Sequence, residues 1–286
     1  MKPYTFLRRS VLPLSTLILT AGLYSCKKQD VSGDPAPAAA TNDTRISTDV
    51  LQKIRQLGFS TENAKKTAEG YIVEGDILLH EEQLDDVPVR NSMIFGQEEH
   101  YRTNYVVNKT AYPVIKVALN NSSSVHQAVF SAAVDSAIKR YNMQWLDIRF
   151  QRVTTGAHIT VQAYREVSNT LGYAGFPTYT GAPYSRISMN TYWYKTSTAT
   201  SNVNYIASVI AHEIGHCIGF RHTDYMNRAY SCGGTAVNEG TAGVGAVHIP
   251  NTQTGPAWNS WMLACIGDQV NRPFTGNDRV ALLHIY

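Results

Sequence analysis

Apolar positions recur at two spacings from residue 45 onward, and their alternation lays out an α+β chain. Val50, Leu51, Ile54 and Leu57 fall at helical spacing, and Gly58 is placed to stop that run. Residues 70–79 read as a strand interrupted by a glycine, followed by an acidic surface stretch at Glu81, Glu82, Asp85 and Asp86. Residues 113–119 form a strand candidate. Ser122 to Ser124 are suited to cap a helix whose apolar stripe is Val125, Val129, Ala132, Ala133, Ala137 and Tyr141. Residues 146–153 alternate as a half-buried strand does, and 157–164 and 186–191 give two more. Residues 172–177 contain glycines and end in Pro177, which places any strand there at a sheet edge. Residues 203–220 predict a central helix with a thick apolar back of Ile206, Val209, Ile210, Ile214 and Ile218. Beyond Arg221 the pattern is irregular until residues 278–285, which predict a last helix. No internal repeat is present.

Composition narrows the class. The 286 residues, 43% hydrophobic and 16% charged, suit one sizeable globular domain with appendages rather than a disordered chain. Lys and Arg number 25 against 22 Asp and Glu, and Lys2, Arg8 and Arg9 at the extreme N-terminus account for the excess. No basic field remains to favour nucleic acid. Those three cations precede an apolar run, Val11 to Leu23, that is shorter than the roughly 20 residues of a membrane span. The run ends in Leu23-Tyr24-Ser25-Cys26, which resembles the lipobox of bacterial lipoproteins. By that resemblance residues 1–25 are a signal peptide and Cys26 receives lipid. The mature protein is then exported and lipid-anchored to the cell envelope, at the outer membrane or cell surface, with later release as an alternative. Residues 26–44, rich in Pro, Ala, Asp and Ser, read as a flexible tether. Residues 45–97 form a separate small unit and 98–286 a longer domain. Three cysteines remain after Cys26. Cys217 lies on the central helix and is expected to be free and buried, which leaves a Cys232–Cys265 disulfide in an exported protein.

The chemistry concentrates in His212-Glu213-Ile214-Gly215-His216-Cys217-Ile218-Gly219-Phe220-Arg221-His222. Residues four apart on a helix share a face, so His212 and His216 can present two imidazoles to one metal. Glu213, rotated about 100°, stands beside the metal without being a ligand, where a base for an attacking water belongs. Gly219 can take positive φ, end the helix and turn the chain so that His222 supplies a third nitrogen. Three nitrogens and an open fourth position describe a catalytic rather than a structural zinc. The other histidines, at 80, 100, 126, 158, 248 and 284, lack such spacing and read as ordinary surface or core residues.

Residues 212–222 match the long zinc motif of the metzincin metallopeptidases, and the chain is most similar to bacterial, astacin-like relatives near the dual-action matrix-metalloprotease-like peptidases. The resemblance implies a zincin domain with a twisted, mixed five-stranded sheet, an active-site helix and a loop-rich C-terminal subdomain. It also implies a methionine turn beneath one zinc ion, for which Ser260-Trp261-Met262 makes Met262 the candidate; the rival Met226 lies too close behind His222. Val73-Glu74-Gly75-Asp76-Ile77 is similar to the astacin propeptide segment whose aspartate caps the zinc, which makes Asp76 a candidate zymogen switch and 45–97 propeptide-like. Two positions depart from astacins: Ala264 stands where they carry a tyrosine, and Thr223-Asp224 follow the third histidine where they place Glu.

The resulting expectation is a monomeric zinc endopeptidase that hydrolyses peptide bonds through a zinc-activated water with Glu213 as general base. Its substrate is a peptide or protein docked along the edge strand near 171–177 by strand addition. The alternatives are a zinc hydrolase of another amide bond, such as one in peptidoglycan, and a non-catalytic, zinc-stabilised surface lipoprotein.

Overall fold

The computed structural model describes residues 45–57, 59–85, 100–120, 124–240, 244–252 and 258–286. The expectations for Cys26, Gly58, Asp86, Ser122 and the 1–44 leader and tether lie outside the described residues. No helix among the described residues is long and apolar enough to cross a membrane.

Helix α1 (Thr48–Gln56) starts where the Ser47 hydroxyl accepts the Val50 N–H, with Asp49 in its first turn and Lys53 and Arg55 in its last. Strands β1 (Lys65–Thr67), β2 (Gly70–Val73) and β3 (Ile77–Leu79) follow as antiparallel neighbours. The single interrupted strand expected over 70–79 is therefore a hairpin. Val73 pairs with Ile77, and Glu74 (φ 55°) and Gly75 (φ 91°) both take positive φ, which reverses the chain between them. Both hairpin strands are buried along their whole length because both faces are covered. Tyr71, Val73, Ile77 and Leu79 meet Ile54 and Phe176 on one face, while Ile72 and Leu78 join the main core on the other.

Strand β4 (Tyr101–Arg102) precedes β5 (Val114–Asn120) and helix α2 (Gln127–Asn142). Val129, Ala133, Ala137 and Tyr141 are buried as the helical stripe requires. Val125 is not: it sits in a 3-10 turn ahead of the helix and is 66% exposed. Strands β6 (Arg149–Arg152), β7 (Ile159–Tyr164), β8 (Gly172–Ala174) and β9 (Arg186–Asn190) complete the sheet. Helix α3 (Thr200–Ile218), short α4 (Ala229–Cys232), β10 (Val247–His248, paired with β4) and α5 (Gly276–Ile285) make up the rest.

The sheet has eight strands, in the order β1-β2-β3-β8-β9-β7-β5-β6, and so exceeds the five expected. The five from β8 to β6 are mixed, with β8 antiparallel to β9 and the others parallel. The additional three come from residues 65–79. They attach because β8 offers free backbone groups: the Ala174 N–H donates to the Asp76 carbonyl at 2.9 Å, and Ile77 pairs with Ala174 in parallel. Residues 172–174 are consequently not an edge, and the strand-addition position expected there is taken by β3.

Helix α3 packs against α2 over the sheet, with Tyr205 to Ile218 entirely buried. Helix α5 begins in a reciprocal cap in which the Thr275 hydroxyl accepts the Asp278 N–H and the Asp278 carboxylate accepts the Thr275 N–H. The same buried carboxylate accepts from the Ser260 hydroxyl (2.7 Å) and the Trp261 N–H (3.3 Å), and lies 2.7 Å from His100 Nε2. It thereby pins residues 260–262 below α3.

Candidate metal centre

The last turns of α3 bring His212 and His216 onto one face with their Nε2 atoms 3.1 Å apart. Gly219 ends the helix in the left-handed region at φ 109°, where a side chain would be strained, and a Cβ there would stand 2.9 Å from the Tyr105 carbonyl oxygen. The chain then returns, and His222 meets the other two rings at centroid distances of 5.3 and 4.9 Å. Each Nδ1 faces an acceptor: His212 the Trp261 carbonyl (2.8 Å), His216 the Phe220 carbonyl (2.9 Å), and His222 the Glu239 carboxylate (2.9 and 3.1 Å). The proton therefore sits on Nδ1 of His212 and His216, which leaves two Nε2 lone pairs facing each other.

The hairpin supplies a fourth donor. Asp76 Oδ2 lies 3.0 Å from His222 Nε2 and 3.4 Å from His212 Nε2. One ligand atom from each of Asp76, His212, His216 and His222 falls within 4.8 Å of the other three. Bonds of 2.0–2.1 Å in a tetrahedron place ligand atoms about 3.3 Å apart, and the separations of 3.0 to 3.4 Å between these atoms fit that shape. Facing lone pairs at this distance call for a shared cation, so the residues fit a zinc-sized ion.

Charge in the site follows from burial and pairing. Burial opposes ionisation of Asp76, but the charge of His222 and the closeness of the His212 and His222 rings hold its carboxyl well below the usual range. Burial likewise opposes protonation of His222, yet Asp76 and Glu239 on its two sides raise it well above its usual value. Both effects favour positive charge between these carboxylates, whether a proton or a metal ion. Glu213 is buried beside the cluster, and its Oε2 has no hydrogen-bond partner among the described residues. Burial first, and the Asp76 charge second, push its pKa well up. A cavity next to it is lined by Asp76, Tyr205, Val209, His212, Leu263 and Arg272.

Met262 is fully buried, and a Cβ on Gly215 would lie 2.4 Å from its sulfur, so the methionine packs directly under the metal helix. Met226 is 37% exposed. Cys232 and Cys265 form a disulfide that ties α4 to the chain just after Met262, and Cys217 is free and buried. Asp224 accepts from the Ser231 hydroxyl and the Ala264 N–H, so it braces the same segment. None of the other six histidines belongs to a cluster of ligand-type groups among the described residues.

Four charged neighbours of the cluster were not visible in the sequence: Glu74, Arg221, Arg228 and Glu239. Arg221 is fully buried, with Nη2 3.2 Å from Glu74 Oε2 and 3.6 Å from Glu239 Oε2. Arg228 places Nε 3.3 Å from Glu239 Oε1 and donates to the Glu74 carbonyl. Glu239 lies in a Gly-, Thr- and Asn-rich loop without periodicity, and Arg221 reads as a spacer between Phe220 and His222.

No curated protein sequence matches the chain. Among solved structures the chain is similar to that of myroilysin, with 18% identity over 63% of this chain and 97% of that one; the TM-score is 0.38, too low to support an argument. The family comparison is of a different kind. A model of the dual-action HEIGH metallo-peptidases matches residues 71–286, from the hairpin through the last helix, and the letters of its name are those of residues 212–216 here. The chain belongs to the dual-action HEIGH metallo-peptidase family and is a metallopeptidase.

Proposed function

We propose that this metallopeptidase is a zinc-dependent endopeptidase made in a latent form. In this reading His212, His216 and His222 hold the ion, Glu213 is the general base, Met262 is the methionine of the turn and Asp76 closes the site. The observation that carries the reading is the convergence of three imidazole Nε2 atoms and one hairpin carboxylate oxygen beside a buried, unpartnered Glu213 oxygen. A donor set of imidazole nitrogens and one carboxylate oxygen suits zinc. When bound, zinc supplies Lewis-acid polarisation of a carbonyl and lowers the pKa of water towards about 7.

The protein's own groups account for the remainder. Glu213 Oε2 accepts the proton of the attacking water and returns it to the leaving amine. Tyr205, Val209 and Leu263, all buried, wall one side of the cleft and keep bulk water from that transfer. Latency follows from the hairpin. Asp76 occupies the position that a substrate carbonyl needs, β3 takes the β8 backbone groups that an extended peptide would use, and Glu74 ties the turn to Arg221. The Asp76 carboxylate against the imidazoles is the contact that holds the hairpin in place, and β3 meets β8 through the one pairing of Ile77 with Ala174, so that loss of the carboxylate lets substrate displace the strand. The reading extends to residues 1–44 as a signal peptide ending at Ser25, lipid on Cys26 and a tether, and the Cys232–Cys265 disulfide accords with export to an oxidising compartment.

The test is hydrolysis of casein and quenched peptides by the full chain, with and without a zinc chelator. Asp76→Ala is expected to hydrolyse without removal of any segment. Adding Glu213→Ala is expected to abolish that hydrolysis while one zinc per chain is retained. Unchanged latency in the first variant rejects the switch, and full activity in the second rejects the base.

A further inference from the structure

The three metal-facing imidazoles are not held alike. His212 and His216 sit on α3, where the helix fixes their backbone, and each donates Nδ1–H to a main-chain carbonyl. His222 lies three residues past Gly219, outside the helix, and its Nδ1 meets a carboxylate instead. Both oxygens of Glu239 lie near that nitrogen, at 2.9 and 3.1 Å.

Glu239 is itself fixed. It is fully buried, its N–H donates to the Tyr225 carbonyl at 2.7 Å, and its carboxylate lies 3.3 Å from Arg228 Nε and 3.6 Å from Arg221 Nη2. Arg228 is tied to the same loop by its N–H to the Val237 carbonyl. Two cations with fixed positions thus keep an anion against one ring nitrogen of a ligand that no helix orients. An anionic acceptor fixes the imidazole tautomer, aims Nε2 inward and makes that nitrogen more basic towards a metal.

We propose that Glu239 is the positioning residue for His222, and that its carboxylate, held by Arg221 and Arg228, sets the affinity and geometry of the third metal contact. The inference rests on the reading of His222 as a metal ligand. Glu74 provides an internal comparison: it lies in the same buried cluster, with a carboxylate oxygen within 4.8 Å of a His222 ring nitrogen, but its carboxylate accepts from Arg221 and the Ser60 N–H and, among the described residues, from no imidazole.

The experiment uses the full chain as wild type, Glu239→Gln and Glu74→Gln. Zinc affinity is read by competition with a chromogenic chelator, and the visible spectrum is read after cobalt substitution. Glu239→Gln is expected to weaken zinc binding about 10- to 100-fold and to alter the cobalt bands. Glu74→Gln, which removes a carboxylate of the same buried cluster that does not hydrogen-bond an imidazole, is expected to leave the Nδ1 contact of His222 and the cobalt bands in place and to weaken zinc binding less than Glu239→Gln does. Equal losses in both variants, or wild-type affinity and bands in Glu239→Gln, overturn the proposal. If wild type itself takes up no zinc, the metal reading fails first, which is a distinguishable result. Should Glu239→Gln fold poorly, Glu239→Asp keeps the charge but shortens its reach, and an unshifted cobalt spectrum there also counts against positioning.

Discussion

Gly215 lets helix α3 lie against residues 261 and 262 without a side chain of its own between them. A Cβ there would meet Met262 Sδ at 2.4 Å and Trp261 Nε1 at 3.1 Å, and both neighbours are buried. Two effects oppose each other in Gly215→Ala. Helix propensity favours alanine by about 1 kcal/mol, while overpacking a filled core costs about 1–3 kcal/mol. The sulfur lies mid-way along the methionine, and the Met262 carbonyl is held by the Thr223 N–H at 2.9 Å, so the turn cannot retreat freely. Overpacking is expected to win, and the metal-free protein should melt at a lower temperature than wild type. Zinc affinity should fall too, because the displaced Trp261 carbonyl is the acceptor for His212 Nδ1. A variant that melts higher, with unchanged affinity, would show that the contact is loose.

Elements differed in how far the sequence disclosed them, and the reason is locality. Helix α3 was legible because its apolar back, both helical histidines and the terminating Gly219 all lie within one short stretch. His222 was legible because one glycine turn carries it back. The partner of β8 was not, because strand pairing is decided by residues about a hundred positions away, and the backbone groups that Pro177 seemed to leave open are met by β3. The hairpin was misread as one strand because both its faces are buried, which erases the period-two signal. Glu239 carried no signal at all, since its role depends on a loop meeting a ring. The same reasoning predicts where the fold yields first. Ile54 is fully buried in the small cluster under β2 and β3, apart from the main core. Ile54→Ala is expected to cost about 2–5 kcal/mol locally. Hydrogen exchange should accelerate across residues 65–79 while α3 stays protected. Equal acceleration in α3 would mean that the hairpin and the metal helix unfold as one unit.

At the scale of the described fold, the disulfide and the metal centre act on the same segment. The bridge joins Cys232, four residues after Arg228, to Cys265, three residues after Met262. Arg228 shares Glu239 with His222, and the Trp261 carbonyl holds His212. A bridge closing 33 residues restricts the unfolded chain by about 3–4 kcal/mol on loop entropy. If that were its whole effect, the disulfide and zinc would stabilise independently. Saturating zinc, at a thousandfold over its Kd, contributes about 4 kcal/mol, and that increment would be the same with or without the bridge. The geometry argues otherwise, because a loosened α4 and a loosened 260–266 segment release restraints on two of the three imidazoles. The zinc-induced rise in melting temperature is therefore expected to be smaller in a Cys232→Ser, Cys265→Ser variant than in wild type. Thermal melts of both proteins, each with saturating zinc and with chelator, measure the coupling directly. An identical zinc increment in the two would confine the bridge to the unfolded chain and remove it from any account of how the site is held.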